Sequence, residues 1–123
     1  MEEIKEGDYI RTDNGEIAKV IYNATNEFCY KEMLALDRVV SVNNSEFIYR
    51  DDIVKHSKNI IDLIEAGDYV NGCKVIDICE SQYGGEKIIY IGGFGIPKKI
   101  YDNQIKSILT KEQYEQNSYK LWY

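Results

Sequence analysis

Alternation of apolar and polar residues is the main pattern along this chain, and it has the period of two that half-buried β-strands show. In the first half it runs through residues 9–12, 16–22 and 47–49, which are rich in β-branched and aromatic side chains. In the second half the clearest run is residues 87–91. The pattern therefore predicts an all-β chain built from short strands.

Turn-forming residues separate these runs. Residues 13–15 read Asp-Asn-Gly between the first two predicted strands, and Asn71-Gly72 takes the corresponding place in the second half. Asn and Gly tolerate the positive φ that tight hairpin turns require, so both sites predict hairpins. Residues 33–36 can be read either as a strand or as a short helix.

The chain also repeats itself. Residues 4–10 (IKEGDYI) return as residues 64–70 (IEAGDYV), and the tripeptide Lys-Val-Ile occurs at both 19–21 and 74–76. The order of the matching segments is kept while their spacing drifts, which is typical of a duplicated module whose loops have diverged.

Each half carries a signal for a short helix near its end. Thr110 and Gln113 have the spacing of a capping box, and Ser57 precedes residues 58–64 (KNIIDLI) in the same relative place. We expect one helical turn there, followed in the second half by a last strand at residues 118–123.

Five short strands with one helical turn before the last are the layout of a Src-homology-3-like (SH3-like) barrel. The predicted fold is therefore a tandem pair of small five-stranded SH3-like barrels, residues 1–62 and 63–123. A module of about 60 residues buries a small fraction of its surface when alone, so we expect the two barrels to pack together.

Charge and composition narrow the classes of partner. The 123 residues include 15 Lys and Arg against 21 Asp and Glu, a net charge of −6, which disfavours nucleic acid. Neither a signal peptide nor an apolar run long enough for a membrane helix is visible, so a cytoplasmic protein without a membrane partner is expected. The three cysteines have no repeating spacing and are expected to be reduced, buried thiols.

Residues 67–70 (GDYV), 74–76 (KVI) and the segment 100–113 give the chain a resemblance to a group of small proteins. It resembles small uncharacterised proteins of prophages and mobile elements in low-GC Gram-positive bacteria, best over residues 48–123. The resemblance implies a bacterial host cell and, because small proteins of such elements often look like inhibitors of host defence, an anti-CRISPR-like role. It carries over no catalytic residues.

Few residues here suggest catalysis. His56 is the only histidine, which excludes multi-histidine metal sites, and no nucleophile or nucleotide-binding motif accompanies it. The loop 92–95 is rich in Gly but is not followed by the Lys-Ser or Lys-Thr of a phosphate-binding loop. Asp8 and Asp68 are expected to hydrogen-bond the backbone of their own turns. The chain is therefore predicted to be neither an enzyme nor a cofactor-binding protein.

Aromatic residues are the best candidates for binding a partner. Four tyrosines at repeated positions are expected to fill the barrels: Tyr9, Tyr49, Tyr69 and Tyr101. The predicted partner-binding residues lie in the second half: Phe94, Tyr83, Tyr90, Lys98, Lys99, Tyr119 and Trp122. The leading hypothesis is a non-enzymatic inhibitor that binds a host defence protein. The alternative is an accessory protein that binds nucleic acid or nucleotide through the aromatic and Lys face of the second module.

Overall fold

The computed structural model describes residues 3–25, 32–80, 85–92 and 95–117. The chain divides into two compact units, Met1–Leu63 and Ile64–Tyr123. Within the described ranges, no helix has both the length and the apolar character needed to cross a lipid bilayer.

The first unit is one antiparallel sheet with two short 3₁₀ helices. Its strands are β1 (Tyr9–Thr12), β2 (Ile17–Asn23), β3 (Met33–Val40), β4 (Ser45–Tyr49) and β5 (Ile53–Ser57). They lie in the order β4-β3-β2-β1-β5. The 3₁₀ helices are Arg50–Asp52, just before β5, and Ile60–Leu63, just after it. The segment at 33–36 that could be read two ways is thus a strand.

The second unit repeats this topology. Its strands are β6 (Tyr69–Val70), β7 (Cys73–Glu80), β8 (Lys87–Ile91), β9 (Lys98–Ile100) and β10 (Ile108–Leu109), in the order β10-β6-β7-β8-β9. A 3₁₀ helix, Asp102–Gln104, precedes β10, and the helix α1 (Lys111–Asn117) follows it. The prediction of a mostly β chain is confirmed, and the repeated sequence corresponds to a repeated order of strands.

The hairpin predicted at Asn71-Gly72 has the expected geometry. Val70 pairs with Cys73 across a two-residue loop, and Asn71 and Gly72 have φ values of 52° and 83°. Both φ values are positive, as in the primed hairpin turn whose twist matches that of the flanking strands. Gly15, in the first hairpin, also has a positive φ of 87°. The turn chemistry of both hairpins was therefore correctly predicted.

A β-bulge occurs at the same place in both sheets. Between β2 and β3 the register shifts after Val20, and between β7 and β8 it shifts after Val75. The extra residues are Ile21 and Ile76, which are 44% and 49% exposed. A bulge lets the alternation resume on the correct faces beyond the extra residue, so an apolar side chain in each Lys-Val-Ile segment points to solvent.

Aliphatic side chains fill the interior of each unit. The buried cluster of the first unit consists of Ile4, Ile10, Ala18, Val20, Leu34, Leu36, Val40 and Ile48. The prediction that tyrosines fill the barrels is wrong, because Tyr9, Tyr69 and Tyr101 are half-buried and Tyr49 is exposed. Side chains alternate across a strand, and the neighbouring isoleucines and valine occupy the inward positions.

The placement of the helical turn also needs correction. The capping box is present: Thr110 N–H reaches Gln113 Oε1 at 3.2 Å, and Gln113 N–H reaches Thr110 Oγ1 at 3.3 Å. The helix that it begins, however, follows the fifth strand of its sheet. The turn before that strand is the 3₁₀ helix Asp102–Gln104, where the Tyr101 and Gln104 backbones and the Gln104 side chain hydrogen-bond locally. The last strand predicted at 118–123 lies outside the described residues.

Candidate functional site

The outward face of the first sheet carries a row of apolar side chains across three strands. In the strand register Tyr22 lies opposite Ala35, and Ala35 lies opposite Phe47. Directly opposed residues in antiparallel strands share a face. The next pair along the same face is Met33 and Tyr49, each two residues from a member of the first row. These five residues are called the aromatic face below.

The rings of the aromatic face are accessible. Tyr22 is 49% exposed, Phe47 36% and Tyr49 37%, whereas Ala35 between them is only 2% exposed. Alanine is short, and larger side chains lie opposite it on both neighbouring strands. The three accessible aromatic rings therefore belong to β2 and β4, on either side of β3.

Charged groups at both ends of β3 are already paired. Arg38 Nε lies 3.1 Å from Asp37 Oδ1, and Arg50 Nη1 lies 3.8 Å from Glu32 Oε2. Burial by itself raises the pKa of the Asp37 carboxyl. Hydrogen bonds from the Arg38 side chain and from the Lys19 backbone N–H outweigh this effect, so the pKa lies below the ordinary value for aspartate. Asp37 therefore stays ionised and forms an ion pair with Arg38.

The equivalent row of the second sheet has a different character. Asp77 lies opposite Tyr90, and Tyr90 lies opposite Lys99. The Lys99 ammonium is 5.9 Å from the centroid of the Tyr90 ring, within cation–π range. The row of the first module thus has aromatic side chains at both ends, Tyr22 and Phe47. The row of the second module has opposite charges at its ends, Asp77 and Lys99.

Three of the predicted partner-binding residues lie in the described part of the second unit. Tyr90 and Lys99 are neighbours on the outward face, and Tyr90 is half-buried. Lys98 is exposed but lies opposite Ile91, one position along the strand from Lys99. The other four predicted residues, Phe94, Tyr83, Tyr119 and Trp122, lie outside the described residues.

A second aromatic feature lies beside β10. The rings of Tyr69 and Tyr114 stack with their centroids 4.6 Å apart and an interplanar angle of 26°. They line a groove of about 380 Å³ together with Gly72 and the segment 107–109. A hydrogen bond with Tyr114 raises the pKa of Tyr69 above the ordinary value for tyrosine. The stack connects the middle of α1 to β6 and lies beside an apolar groove at the surface.

The predicted role of the turn aspartates is confirmed. Asp8 Oδ2 accepts the Lys5 N–H at 2.9 Å, and Asp68 Oδ2 accepts the Glu65 N–H at 2.8 Å. His56 lies on β5, where its Nδ1 is 3.9 Å from Asp8 Oδ2, just beyond hydrogen-bond distance. This contact between a histidine and a buried carboxylate is not visible in the sequence.

Metal-binding and thiol chemistry find little support in the described ranges. No group of three His, Cys, Asp or Glu side chains that could hold a metal ion occurs there. Cys73 is half-buried, and Cys79 is exposed, so the prediction of a buried thiol is wrong for Cys79. Desolvation and the neighbouring Asp77 carboxylate raise the pKa of the Cys79 thiol, which keeps it in the less reactive protonated form.

No family model, curated protein or solved structure matches the chain. Sequence reasoning missed Tyr22 and Phe47 because it searched the unrepeated residues of the second half. One signal was present for Phe47, which neighbours the buried Ile48 and therefore lies on the outward face. Tyr22 gave no such signal, because it is two residues from the buried Val20 and faces outward only through the bulge at Ile21.

Proposed function

We propose that the chain is a tandem pair of SH3-like modules that binds a protein partner without catalysing a reaction. Two features support the SH3-like assignment. In each sheet the first strand lies between the second and the fifth, and the third and fourth follow in order. A 3₁₀ helix, Arg50–Asp52 or Asp102–Gln104, precedes the fifth strand in both units.

The aromatic face is the observation that carries the proposal of protein binding. Tyr and Phe are enriched at the centres of protein interfaces because they supply large contact areas at a small cost in conformational entropy. Three of them lie on the strands β2 and β4, which pair with β3 on either side of Ala35. The nearest arginines are paired with acids, so this surface offers a polyanion little attraction. A protein partner therefore fits better than nucleic acid.

The proposed partner is a host defence protein, and the proposed effect is steric inhibition, as in anti-CRISPR proteins. This part of the proposal follows the resemblance to small proteins of prophages and mobile elements. A protein that blocks its target by occupying a surface needs no catalytic group of its own. The same origin implies that it acts in the cytoplasm of the bacterial host.

The test is an affinity purification of the tagged full chain from host lysate, with mass spectrometry of the bound proteins. The decisive variant is Tyr22→Ser with Phe47→Ser, which removes two rings of the aromatic face and leaves the inward positions intact. Val54→Ser is the matched control, because Val54 is 55% exposed on β5, outside the aromatic face.

A defence protein that is retained by the parent chain and by the control, but not by the double variant, supports the proposal. Equal retention by the double variant, with unchanged far-ultraviolet circular dichroism, would refute the role of the aromatic face. Recovery of no defence protein from a host that expresses such systems would refute the proposed target.

One observation favours the alternative, an accessory protein that binds nucleic acid or nucleotide. Tyr90 and Lys99 form a cation–π pair on the outward face, and Lys98, adjacent to Lys99 in the chain, is also exposed. Aromatic rings with nearby lysines are typical of surfaces that stack single-stranded bases. Salt-dependent retention on single-stranded RNA or DNA that is lost in Lys98→Glu with Lys99→Glu would establish it. Absence of retention at low salt would exclude it.

A further inference from the structure

The two modules begin with the same hydrogen-bonded turn. In the first, Asp8 N–H donates to Lys5 O at 3.0 Å and Asp8 Oδ2 accepts the Lys5 N–H. In the second, Asp68 N–H donates to Glu65 O at 3.1 Å and Asp68 Oδ2 accepts the Glu65 N–H. Both aspartates are buried, with exposures of 4% and 0%. The shared turn fixes each carboxylate in the same way and allows a direct comparison.

The second oxygen distinguishes the two carboxylates. Asp68 Oδ1 accepts the Lys111 N–H at 2.8 Å, from the first residue of α1. Asp8 Oδ1 is buried and accepts no hydrogen bond from any residue in the described ranges. The chain after β5 explains the difference, since the Asn59 N–H donates to Ser57 Oγ at 3.1 Å instead of to the aspartate. The first module thus keeps the acceptor but directs its backbone donor elsewhere.

A cleft of about 500 Å³ adjoins this carboxylate. It is lined by Glu3, Lys5, Asp8, His56, Ser57 and Lys58. The side chains of Lys5 and Lys58 are exposed and can keep their charges in water. His56 and Asp8 form the inner wall, with side chains only 18% and 5% exposed. Glu3 adds a second carboxylate at the exposed rim.

The chemistry of the cleft selects the class of ligand. An anion would be repelled by Asp8, and an apolar group would leave a buried carboxylate oxygen without a donor. A metal ion needs several convergent ligands, and no such group occurs in the described ranges. A guanidinium is matched to two parallel oxygens, whereas only one oxygen of Asp8 accepts no hydrogen bond from the part of the chain that the structure describes. A compact ammonium, with three donors around one centre, fits best.

We propose that the Asp8 cleft is a binding site for a primary ammonium group. The ammonium donates a hydrogen bond to Asp8 Oδ1. It takes the role that the Lys111 backbone N–H has for Asp68 Oδ1 in the second module. It belongs either to a lysine side chain of a protein or to a free polyamine. The site is independent of the aromatic face, so the Tyr22→Ser, Phe47→Ser variant binds the ammonium as the parent chain does.

The test is a titration of the ¹⁵N-labelled full chain with n-butylammonium chloride, followed by amide chemical shifts. Saturable shifts are expected at Gly7, Asp8 and Ser57. Tetramethylammonium chloride at the same ionic strength provides the control, because it carries the charge but has no N–H to donate. Equal shifts with both salts would overturn the proposal. Separate titrations with spermidine and with Nα-acetyl-lysine methylamide distinguish the two sources of the ammonium. Tighter binding of spermidine indicates a free polyamine, and tighter binding of the lysine derivative indicates a protein lysine.

Substitutions locate the site. Asp8→Asn is expected to weaken n-butylammonium binding at least about tenfold, because it removes the charge from a charge-assisted hydrogen bond. Asp68→Asn is the matched control and should leave the titration unchanged. Undiminished affinity in Asp8→Asn would overturn the proposal. If Asp8→Asn does not fold, Glu3→Gln should weaken binding and Lys58→Gln should strengthen it, and no change in either variant would overturn the proposal.

Discussion

The two turn aspartates allow the contribution of one buried hydrogen bond to stability to be measured within a single chain. Asp68→Ala removes the acceptors of two backbone donors, Glu65 N–H and Lys111 N–H. Asp8→Ala removes the acceptor of one donor, Lys5 N–H, and also deletes an oxygen that accepts no hydrogen bond from the described residues. The substitution is the same and the local turn is the same, so the two costs should differ mainly by the extra bond.

The expected magnitudes follow from the count of bonds. A hydrogen bond to a charged group contributes about 1.5–3 kcal/mol. Asp68→Ala should therefore destabilise its unit by about 3 kcal/mol, taking the lower figure for each bond because Lys111 N–H can be solvated at the helix end. Asp8→Ala should cost about 1.5 kcal/mol or less, since it also deletes a buried oxygen to which none of the described residues donates a hydrogen bond.

Native-state hydrogen exchange measures each unit separately. The Val20 N–H donates to Asp8 O at 2.8 Å, and the Val75 N–H donates to Asp68 O at 2.7 Å, so these amides are equivalent reporters. Asp68→Ala should lower the protection of Val75 by roughly tenfold more than Asp8→Ala lowers that of Val20, as a difference of about 1.4 kcal/mol implies. An equal or larger loss at Val20 would show that Asp8 Oδ1 has a strong donor, which would refute the reasoning.

Three further predictions concern single side chains. Leu34→Ala should cost about 2–5 kcal/mol in urea unfolding, because Leu34 is 0% exposed in the core of the first unit. Tyr69 should deprotonate at a higher pH than ordinary tyrosine, and Tyr114→Phe should bring that transition down, as measured by ultraviolet titration. Cys79, although exposed, should react slowly with Ellman's reagent in a chain whose other cysteines are Ser, and Asp77→Asn should accelerate the reaction.

The sequence predicted the strands and turns well because these depend on local signals. Period two identified β1, β2, β4 and β8, and the Asn71-Gly72 turn has the geometry that its residue types require. The 3₁₀ helix Asp102–Gln104 was not predicted, because it is held by one side chain, that of Gln104, returning to the Tyr101 amide. A single contact of this kind leaves no periodic pattern.

The candidate surface was harder to predict than the fold. Tyr22 and Phe47 lie 25 residues apart in the chain and meet only through Ala35 on the strand between them. Two β-ladders and a bulge at Ile21 determine that meeting. Tyrosines at repeated positions were expected inside the barrels, yet alternation places Tyr9 and Tyr49 beside buried Ile10 and Ile48 and therefore on the other face. Repetition alone does not distinguish a core residue from an outward one.

Differences between the copies are more informative about function than their shared features. Outward positions contribute little to the core, so the row Tyr22–Ala35–Phe47 and the row Asp77–Tyr90–Lys99 can differ while the strand order stays the same. Buried positions are under the opposite constraint, since an unsatisfied carboxylate costs stability. Asp8 nevertheless occupies a buried position. From the described residues its carboxylate accepts one backbone hydrogen bond, whereas the carboxylate of Asp68, at the equivalent position of the second module, accepts two. A buried carboxylate oxygen that accepts no hydrogen bond from the described residues is the stronger sign of a ligand, so the Asp8 cleft and the aromatic face should be tested as two separate sites.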